Sequence, residues 1–163
     1  MNKPLSENVV GIDHIALAVP DLEAAIQWVN NVLGFHLEES RETYGKHSGM
    51  KSAVLRLGEV TIVLTEGIGE KSQTSQFVEN FGAGVQHVAF RVKNLGDAIT
   101  SMQGNGLEFS SPRLDSDGLS QIFSHRNLAT GLMVELIERR NYDGFRDENV
   151  QRLFDSLESE EIF

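Results

Sequence analysis

The 163-residue chain contains no cysteine, which excludes disulfide bonds, a thiolate nucleophile and any metal site with cysteine ligands. No segment reaches the ~20 apolar residues of a membrane-spanning helix, and the N-terminus lacks the apolar core of a secretory signal, so a cytoplasmic protein is expected. Basic residues are also scarce: 14 Lys and Arg stand against 24 Asp and Glu, and the formal net charge of -10 disfavours nucleic acid as a partner. Because the chain has no cysteine, any metal site must use His, Asp or Glu as ligands.

What the sequence does contain is an internal repeat. Residues 11–16 (GIDHIA) return as residues 84–89 (GVQHVA), and the β-rich residues 60–64 (VTIVL) return as residues 132–136 (LMVEL). Matches of this density, spread over two separate parts of each copy, indicate a duplicated module rather than a coincidence.

Each copy follows the pattern strand, helix and three further strands. Asp21 and Asn94 stand where a helix N-cap is expected, and Gly34 and Gly106 stand just past the predicted helix ends. The predicted fold class is therefore α+β, with two βαβββ modules. The predicted boundaries are residues 9–66 and 84–140 for the modules of a single domain (residues 9–140), residues 66–84 for a polar connector, and residues 141–163 for a tail with an amphipathic helix.

Three residues on the predicted strands carry ligand-type side chains. Since side chains alternate across a strand, His14, His87 and Glu135 lie on the faces that point away from the predicted helices. The repeat makes the two histidines equivalent, so a pseudo-twofold fold brings them together. Two histidines and one carboxylate with open positions form the ligand set of non-haem Fe(II) oxygenases.

A structural role is the alternative for each of these residues. A single histidine in a strand is more often a core residue than a ligand, and Glu135 could form a salt bridge with Arg56 or Arg91. The coincidence of two repeat-equivalent histidines with a carboxylate favours the metal site. The other histidines lie near predicted turns or helix ends and are expected at the surface: His36, His47 and His125.

Residues 13–22 (DHIALAVPDL) and the paired βαβββ modules resemble the vicinal oxygen chelate superfamily, the group of glyoxalases, epimerases and extradiol dioxygenases. The resemblance covers about residues 9–140. It implies a U-shaped, open barrel-like sheet around one divalent metal, with His14, His87 and Glu135 as the metal ligands.

Two branches of this superfamily resemble the chain. Glyoxalases and methylmalonyl-CoA epimerases usually supply a fourth ligand, Glu or Gln, at the position of Val63, which cannot bind a metal; the nearest carboxylate is Glu66. The C-terminal catalytic module of 4-hydroxyphenylpyruvate dioxygenase resembles residues 82–89 (GAGVQHVA), residues 135–139 (ELIER) and the tail from Gly144 onward. This tail favours the second branch.

The dioxygenase resemblance implies further residues of the pocket. Gln121 would be a catalytic residue that orients the substrate, and Phe145 and Asn149 would bind it. Met133 would also bind the substrate. Both Met133 and Val150 stand at positions where that family tends to have phenylalanines against the substrate ring. A substrate with a different or smaller side chain is therefore expected.

The expected function is that of an Fe(II) dioxygenase that acts with O2 on a small 2-oxo acid, aromatic or aliphatic. Co(II), Ni(II), Zn(II) or Mn(II) would also suit a nitrogen and oxygen site. The alternatives are a lyase or isomerase of the glyoxalase and epimerase type, which needs a fourth ligand or a second base, and a metal-free module that binds small molecules. A homodimer, in which the tail closes the pocket of either copy, is also an expectation.

Overall fold

The computed structural model describes residues 5–160, with side chains through residue 158, so the predicted end of the tail at residues 161–163 lies outside the described residues. None of the helices within this range combines the length and the apolar character that a membrane span requires. After a 3-10 turn at Leu5–Glu7, the elements are β1 (Val9–Ala18), α1 (Leu22–Leu33), β2 (His36–Tyr44), β3 (Gly49–Leu57), β4 (Val60–Ile68), α2 (Gln73–Phe81), β5 (Gly84–Val92), α3 (Leu95–Gly104), β6 (Leu114–Ser116), β7 (Leu119–Phe123), β8 (Met133–Arg139) and α4 (Asp147–Glu160).

The strands form one 8-stranded sheet in the order β2-β3-β4-β1-β5-β8-β7-β6. The modules meet where β1 and β5 pair antiparallel, and each module pairs its first strand in parallel with its last, β1 with β4 and β5 with β8. The sheet curls into a half-barrel. The predicted α+β fold, two βαβββ modules in a U-shaped open sheet with a C-terminal helix, is therefore confirmed. The limits of a single domain at residues 9–140 stay a prediction.

Each module has its own hydrophobic core between its helix and the outer face of the sheet. In the first module Val29 of α1 packs in a buried cluster with Leu64 of β4. In the second module Leu95 of α3 packs with Leu136 of β8. Because α1 and α3 cover the outer face, the opposite, concave face is left to form the site.

The helices α1 and α3 begin and end where the sequence predicts. The Asp21 carboxylate accepts a hydrogen bond from the backbone N–H of Ala24 at 3.0 Å, and the Asn94 side chain accepts one from that of Asp97 at 2.9 Å. Gly34 ends α1 with a φ of 82°, in the left-handed region that glycine adopts without strain.

A second pair of repeat-related residues secures the same helix starts. Glu66 Oε2 accepts a hydrogen bond from the backbone N–H of Leu22 at 2.8 Å, and Glu138 Oε2 accepts one from that of Leu95 at 2.7 Å. Both glutamates therefore lie on the face of the sheet that bears the helices, opposite the face of His14. Glu66 binds a helix start in this fold, so it is not placed as a fourth ligand.

Replacing Glu66 with alanine is expected to lower the free energy of unfolding by about 1 kcal/mol, because the first turn of α1 loses a charge-assisted hydrogen bond. Urea unfolding measures this change. Glu59→Ala, in the exposed turn between β3 and β4, is the matched control and should unfold like the wild type. The affinity for Zn(II) should be unchanged in Glu66→Ala; a tenfold loss of affinity would place Glu66 at the metal instead.

The connector between the modules contains a helix that the sequence did not predict. β4 extends to Ile68, and α2 then occupies Gln73–Phe81, with Thr74 and Phe77 buried. Only a few residues of this helix are apolar, so its periodicity is weak in the sequence and its stability comes from packing against the sheet. The helix contributes Gln73 and Thr74 to the wall of the cavity that holds the site.

Candidate metal centre

Three ligand-type side chains from adjacent strands meet on the concave face of the sheet. Nε2 of His14 lies 3.0 Å from Oε2 of Glu135, and Nε2 of His87 lies 3.1 Å from the same oxygen. One ligand atom of each residue lies within 4.8 Å of the others. The side chains of His14 and Glu135 are only 2% and 1% exposed. The structure therefore brings together the three residues that the sequence predicts as ligands.

The strand register explains this meeting. Ala89 of β5 pairs with His14 of β1 on one side and with Glu135 of β8 on the other, while Ala16 of β1 pairs with His87 of β5. Both alanines are buried, Ala89 at 0% and Ala16 at 1% exposure, and leave room for the larger side chains of their neighbours. Small residues opposite each ligand thus permit the three side chains to converge.

Each histidine follows a residue that bulges out of the β1–β5 ladder. The pairing omits Asp13 on β1, between the pairs Ile12↔Phe90 and His14↔Ala89, and it omits Gln86 on β5. Asp13 Oδ1 lies 2.8 Å from Nδ1 of His14, and Gln86 Oε1 is hydrogen-bonded to Nδ1 of His87. The bulges let both residues support a ligand on the neighbouring position.

The supporting acceptors determine which nitrogen of each histidine is free. A carboxylate or amide oxygen at Nδ1 requires a hydrogen there, so the lone pair of each neutral ring lies on Nε2. Both Nε2 atoms face Oε2 of Glu135, a buried oxygen with no well-aligned hydrogen bond among the described residues. Three lone pairs that converge in a buried space fit a divalent cation, and the acceptors at Nδ1 are the outer contacts typical of metal-binding histidines.

The pKa values of the three groups reflect their burial and mutual attraction. Burial is the largest influence and disfavours each charged form, but the carboxylates of Glu135 and Asp13 outweigh it and raise the pKa of His14 to about 9. Burial prevails at His87 and lowers its pKa. Although burial alone raises the pKa of Glu135, the two histidines hold it at about 2. The direction of these shifts in pKa favours a proton on His14 beside the ionised Glu135 carboxylate, and a bound cation would displace that proton.

The predicted pocket residues surround this centre. Gln121 Nε2 donates a hydrogen bond to Oε1 of Glu135 at 2.7 Å, and Gln121 Oε1 accepts one from Nδ2 of Asn149 at 3.1 Å. The Phe145 ring contacts the His14 ring edge-on, with 5.1 Å between centroids. Met133 and Val150 line the same cavity. The tail therefore closes the pocket of its own chain, and a homodimer stays a prediction.

Among the described residues, Glu135 forms neither of the salt bridges, with Arg56 or Arg91, that were the alternative to a metal site. Its carboxylate contacts the two histidines and Gln121, whereas Arg56 pairs with Glu38 at 2.6 Å. The remaining histidines are exposed, as predicted: His36, His47 and His125.

Two charged residues of β2 also line the cavity, and the sequence did not single them out. Arg41 donates a hydrogen bond to the backbone oxygen of Phe145 at 2.9 Å and another to Glu39 at 3.1 Å. Its Nη1 lies 2.9 Å from the Asp147 carboxylate at the start of α4. Only the packing of the tail against β2 makes these residues part of the site, so no local pattern could have revealed them.

The first module has no counterpart of Glu135. Val63 pairs with Ala16 on β1 as Glu135 pairs with Ala89 on β5, so the two residues are equivalent in the repeat. Val63 lines the cavity. The position at which a fourth ligand would enter from β4 is therefore apolar.

The sequence profile of the Glyoxalase/Bleomycin resistance protein/Dioxygenase superfamily matches residues 13–123. The chain belongs to this superfamily. The predicted resemblance to vicinal oxygen chelate proteins is thereby confirmed.

Two kinds of superfamily relative match the chain at similar identity. 4-Hydroxyphenylpyruvate dioxygenase of Dictyostelium discoideum is 25% identical over 99% of this chain and 56% of its own length. Mitochondrial methylmalonyl-CoA epimerase of Homo sapiens is 27% identical over 79% of this chain and 74% of its own length. The chain spans about half the length of the dioxygenase relatives that it matches.

Solved structures of the superfamily show the same division. A variant of 4-hydroxymandelate synthase from Streptomyces coelicolor has a TM-score of 0.82 at 21% sequence identity. The match covers 94% of this chain and 54% of the synthase chain, and at this identity it shows a likeness of fold alone. Methylmalonyl-CoA epimerase from Mycobacterium tuberculosis has a TM-score of 0.68 at 28% identity, over 81% of this chain and 89% of that one.

Proposed function

We propose that this protein is an Fe(II)-dependent dioxygenase of a small 2-oxo acid, with His14, His87 and Glu135 as the metal ligands. The observation that carries the proposal is a three-residue ligand set, with valine at the fourth position, enclosed by the tail of the same chain. Two histidines and one carboxylate leave coordination positions open for a chelating substrate and O2.

The ligand atoms suit iron, which when bound would supply the redox chemistry that O2 activation needs. The chain's own part is to hold these atoms in place. Gln121 directs the Glu135 carboxylate through Nε2, and its own amide plane is fixed by Asn149. Oδ1 of Asn149 is buried in the cavity wall and has no hydrogen-bond partner among the described residues, so it is available to accept a hydrogen bond from the substrate.

The cavity wall favours a substrate with an apolar side chain. The cavity has a volume of about 110 Å³, smaller than the cavities of about 150 Å³ that hold benzene. A short alkyl side chain suits this size better than a ring, and the apolar wall would exclude water from it. The apolar lining includes Val54, Phe123, Met133, Phe145, Val150 and Leu153.

The relatives support this proposal through the part of the chain that they cover. The dioxygenase match spans 99% of the chain, which includes the tail, whereas the epimerase match spans 79%. The tail supplies Phe145 and Asn149 to the pocket, so the dioxygenases share with this chain the segment that closes the site.

Anaerobic loading with Fe(II), followed by O2-uptake and CO2-release assays on a panel of alkyl and aryl 2-oxo acids, tests the proposal. At least one acid is expected to give equal amounts of O2 consumed and CO2 released. His87→Ala, loaded in the same way, is the control and should give neither. Absence of uptake with every acid, from protein shown to contain iron, would contradict the dioxygenase assignment.

A lyase or isomerase that uses a divalent metal is the second candidate, favoured by the Glu39 carboxylate on the cavity wall, which could serve as a base. It predicts exchange of a carbon-bound hydrogen with deuterium from D2O under argon, with Co(II) in the site. The Glu39→Gln variant should lose this exchange.

A metal-free binding module predicts no change in thermal stability on addition of a metal, whereas the convergent ligand atoms predict a stabilisation.

A further inference from the structure

Arg139 lies on the same strand as Glu135 and forms a buried ion pair with the residue that supports His14. Its Nε donates a hydrogen bond to Asp13 Oδ2 at 2.7 Å, and its Nη2 donates one to Asp13 Oδ1 at 2.9 Å. The two side chains are 4% and 7% exposed. Two parallel hydrogen bonds between a guanidinium and a carboxylate fix the orientation of both groups. The carboxylate that accepts the Nδ1 hydrogen of His14 is therefore itself held in place.

The remaining nitrogen of this guanidinium binds the tail. Nη1 donates hydrogen bonds to the backbone oxygens of Tyr142 at 3.1 Å and Gly144 at 2.7 Å. The guanidinium also lies over the ring of Phe145, 5.1 Å from its centroid, and that ring contacts His14. The contacts thus run from His14 to Asp13, from Asp13 to Arg139 and from Arg139 to the tail, and they return to His14 through the Phe145 ring.

The second histidine has no such connection. His87 is supported by the neutral amide of Gln86, whose nitrogen, within the part of the chain that the structure describes, donates a hydrogen bond only to the sulfur of Met133, at 3.8 Å. In the first module the position equivalent to Arg139 is Gly67, where even a Cβ atom would lie 2.1 Å from Oγ of Ser75. The connection between ligand and tail therefore exists in one copy of the repeat only, the copy whose last strand leads into the tail.

We propose that Arg139 is a positioning residue that couples metal binding at His14 to closure of the tail over the pocket. One guanidinium fixes the Asp13 carboxylate and the backbone of residues 142–144, so a metal that holds His14 in its bound orientation also stabilises the closed tail. Because such coupling is reciprocal, release of the tail must weaken metal binding by the same factor. The proposal rests on the proposed metal site but requires no particular reaction.

Two measurements on the full chain test it: the Zn(II) affinity, by competition with a chromophoric chelator, and amide hydrogen exchange of residues 141–158 with and without Zn(II). In the wild type Zn(II) is expected to slow exchange in the tail about tenfold or more. Arg139→Lys keeps a positive charge beside Asp13, so it should fold, but a single ammonium cannot bind the carboxylate and both tail carbonyls. This variant should bind Zn(II) about 10-fold more weakly, and Zn(II) should no longer protect its tail.

Arg140→Lys is the matched control, because the neighbouring Arg140 is 45% exposed and pairs with Glu138 at 3.0 Å, on the other face of the strand. It should behave as the wild type in both measurements. Zn(II) binding without protection of the wild-type tail, or an Arg139→Lys variant with unchanged affinity and protection, would overturn the coupling alone. Failure of the wild type to bind Zn(II) would overturn the metal site as well. Neither measurement depends on whether the 2-oxo acid assay succeeds.

Discussion

Replacing Glu135 with glutamine is expected to weaken Zn(II) binding at least about 100-fold and to abolish O2 uptake. Glutamine keeps the volume of the side chain but removes the only negative charge among the three ligand groups. A four-ligand zinc site provides about 10–16 kcal/mol, so one ligand contributes about 3 kcal/mol, which is a factor of about 100 or more in affinity. Chelator competition measures the affinity, and an oxygen electrode measures the uptake.

Glu138→Gln provides the matched control for this prediction. Glu138 lies on the same strand but binds the start of α3, on the opposite face of the sheet. Its replacement should lower the free energy of unfolding by about 1 kcal/mol and leave Zn(II) affinity unchanged. If Glu135→Gln bound Zn(II) as tightly as Glu138→Gln does, Glu135 would not be a ligand.

Replacing Val63 with glutamate is expected to create a site with four protein ligands. The strand register gives Val63 the position in the first module that Glu135 has in the second, so the new carboxylate would point into the same cavity. One further ligand should strengthen Zn(II) binding by about 3 kcal/mol, a factor of about 100. O2 uptake should fall by a similar factor or more, because the fourth ligand takes a position that substrate or O2 requires.

The visible spectrum of the Co(II) form reports the number of ligands and makes this result specific. Val63→Glu should change the spectrum, whereas Val63→Leu, which fills the same space without an oxygen, should not. An unchanged affinity and spectrum in Val63→Glu would show that the two modules do not place equivalent residues at the metal. That outcome would contradict the equivalence of Val63 and Glu135 at the site.

The sequence predicted that His14 and His87 meet because a repeat and a local pattern coincided there. His14 and His87 occupy the same position in two copies of one motif, and strand alternation places them on the face without the helix. Because the modules pair through β1 and β5, equivalent positions on these strands come close together. The prediction therefore needed no knowledge of distant contacts.

The prediction failed for residues whose role depends on irregular pairing. Strict alternation assigns Asp13 to the helix-bearing face, but a bulge in β1 lets its carboxylate reach Nδ1 of His14. The same irregularity in β5 brings Gln86 to His87. Both residues immediately precede a histidine in the repeat, and this shared position was the one signal in the sequence that could have identified them.

By itself, the sequence determined the repeat, the starts of α1 and α3 and the three candidate ligand side chains, since these depend on local spacing and residue type. Only the tertiary structure decided that Glu66 binds the start of α1 and does not face His14, His87 and Glu135, because a shift of one residue in strand register reverses the face. It also decided that Arg139 joins Asp13 to the tail, since Asp13 and Arg139 meet through the packing of two strands, β1 and β8, that lie far apart in the chain. Long-range contacts of this kind are set by the whole folded chain and not by any segment of it.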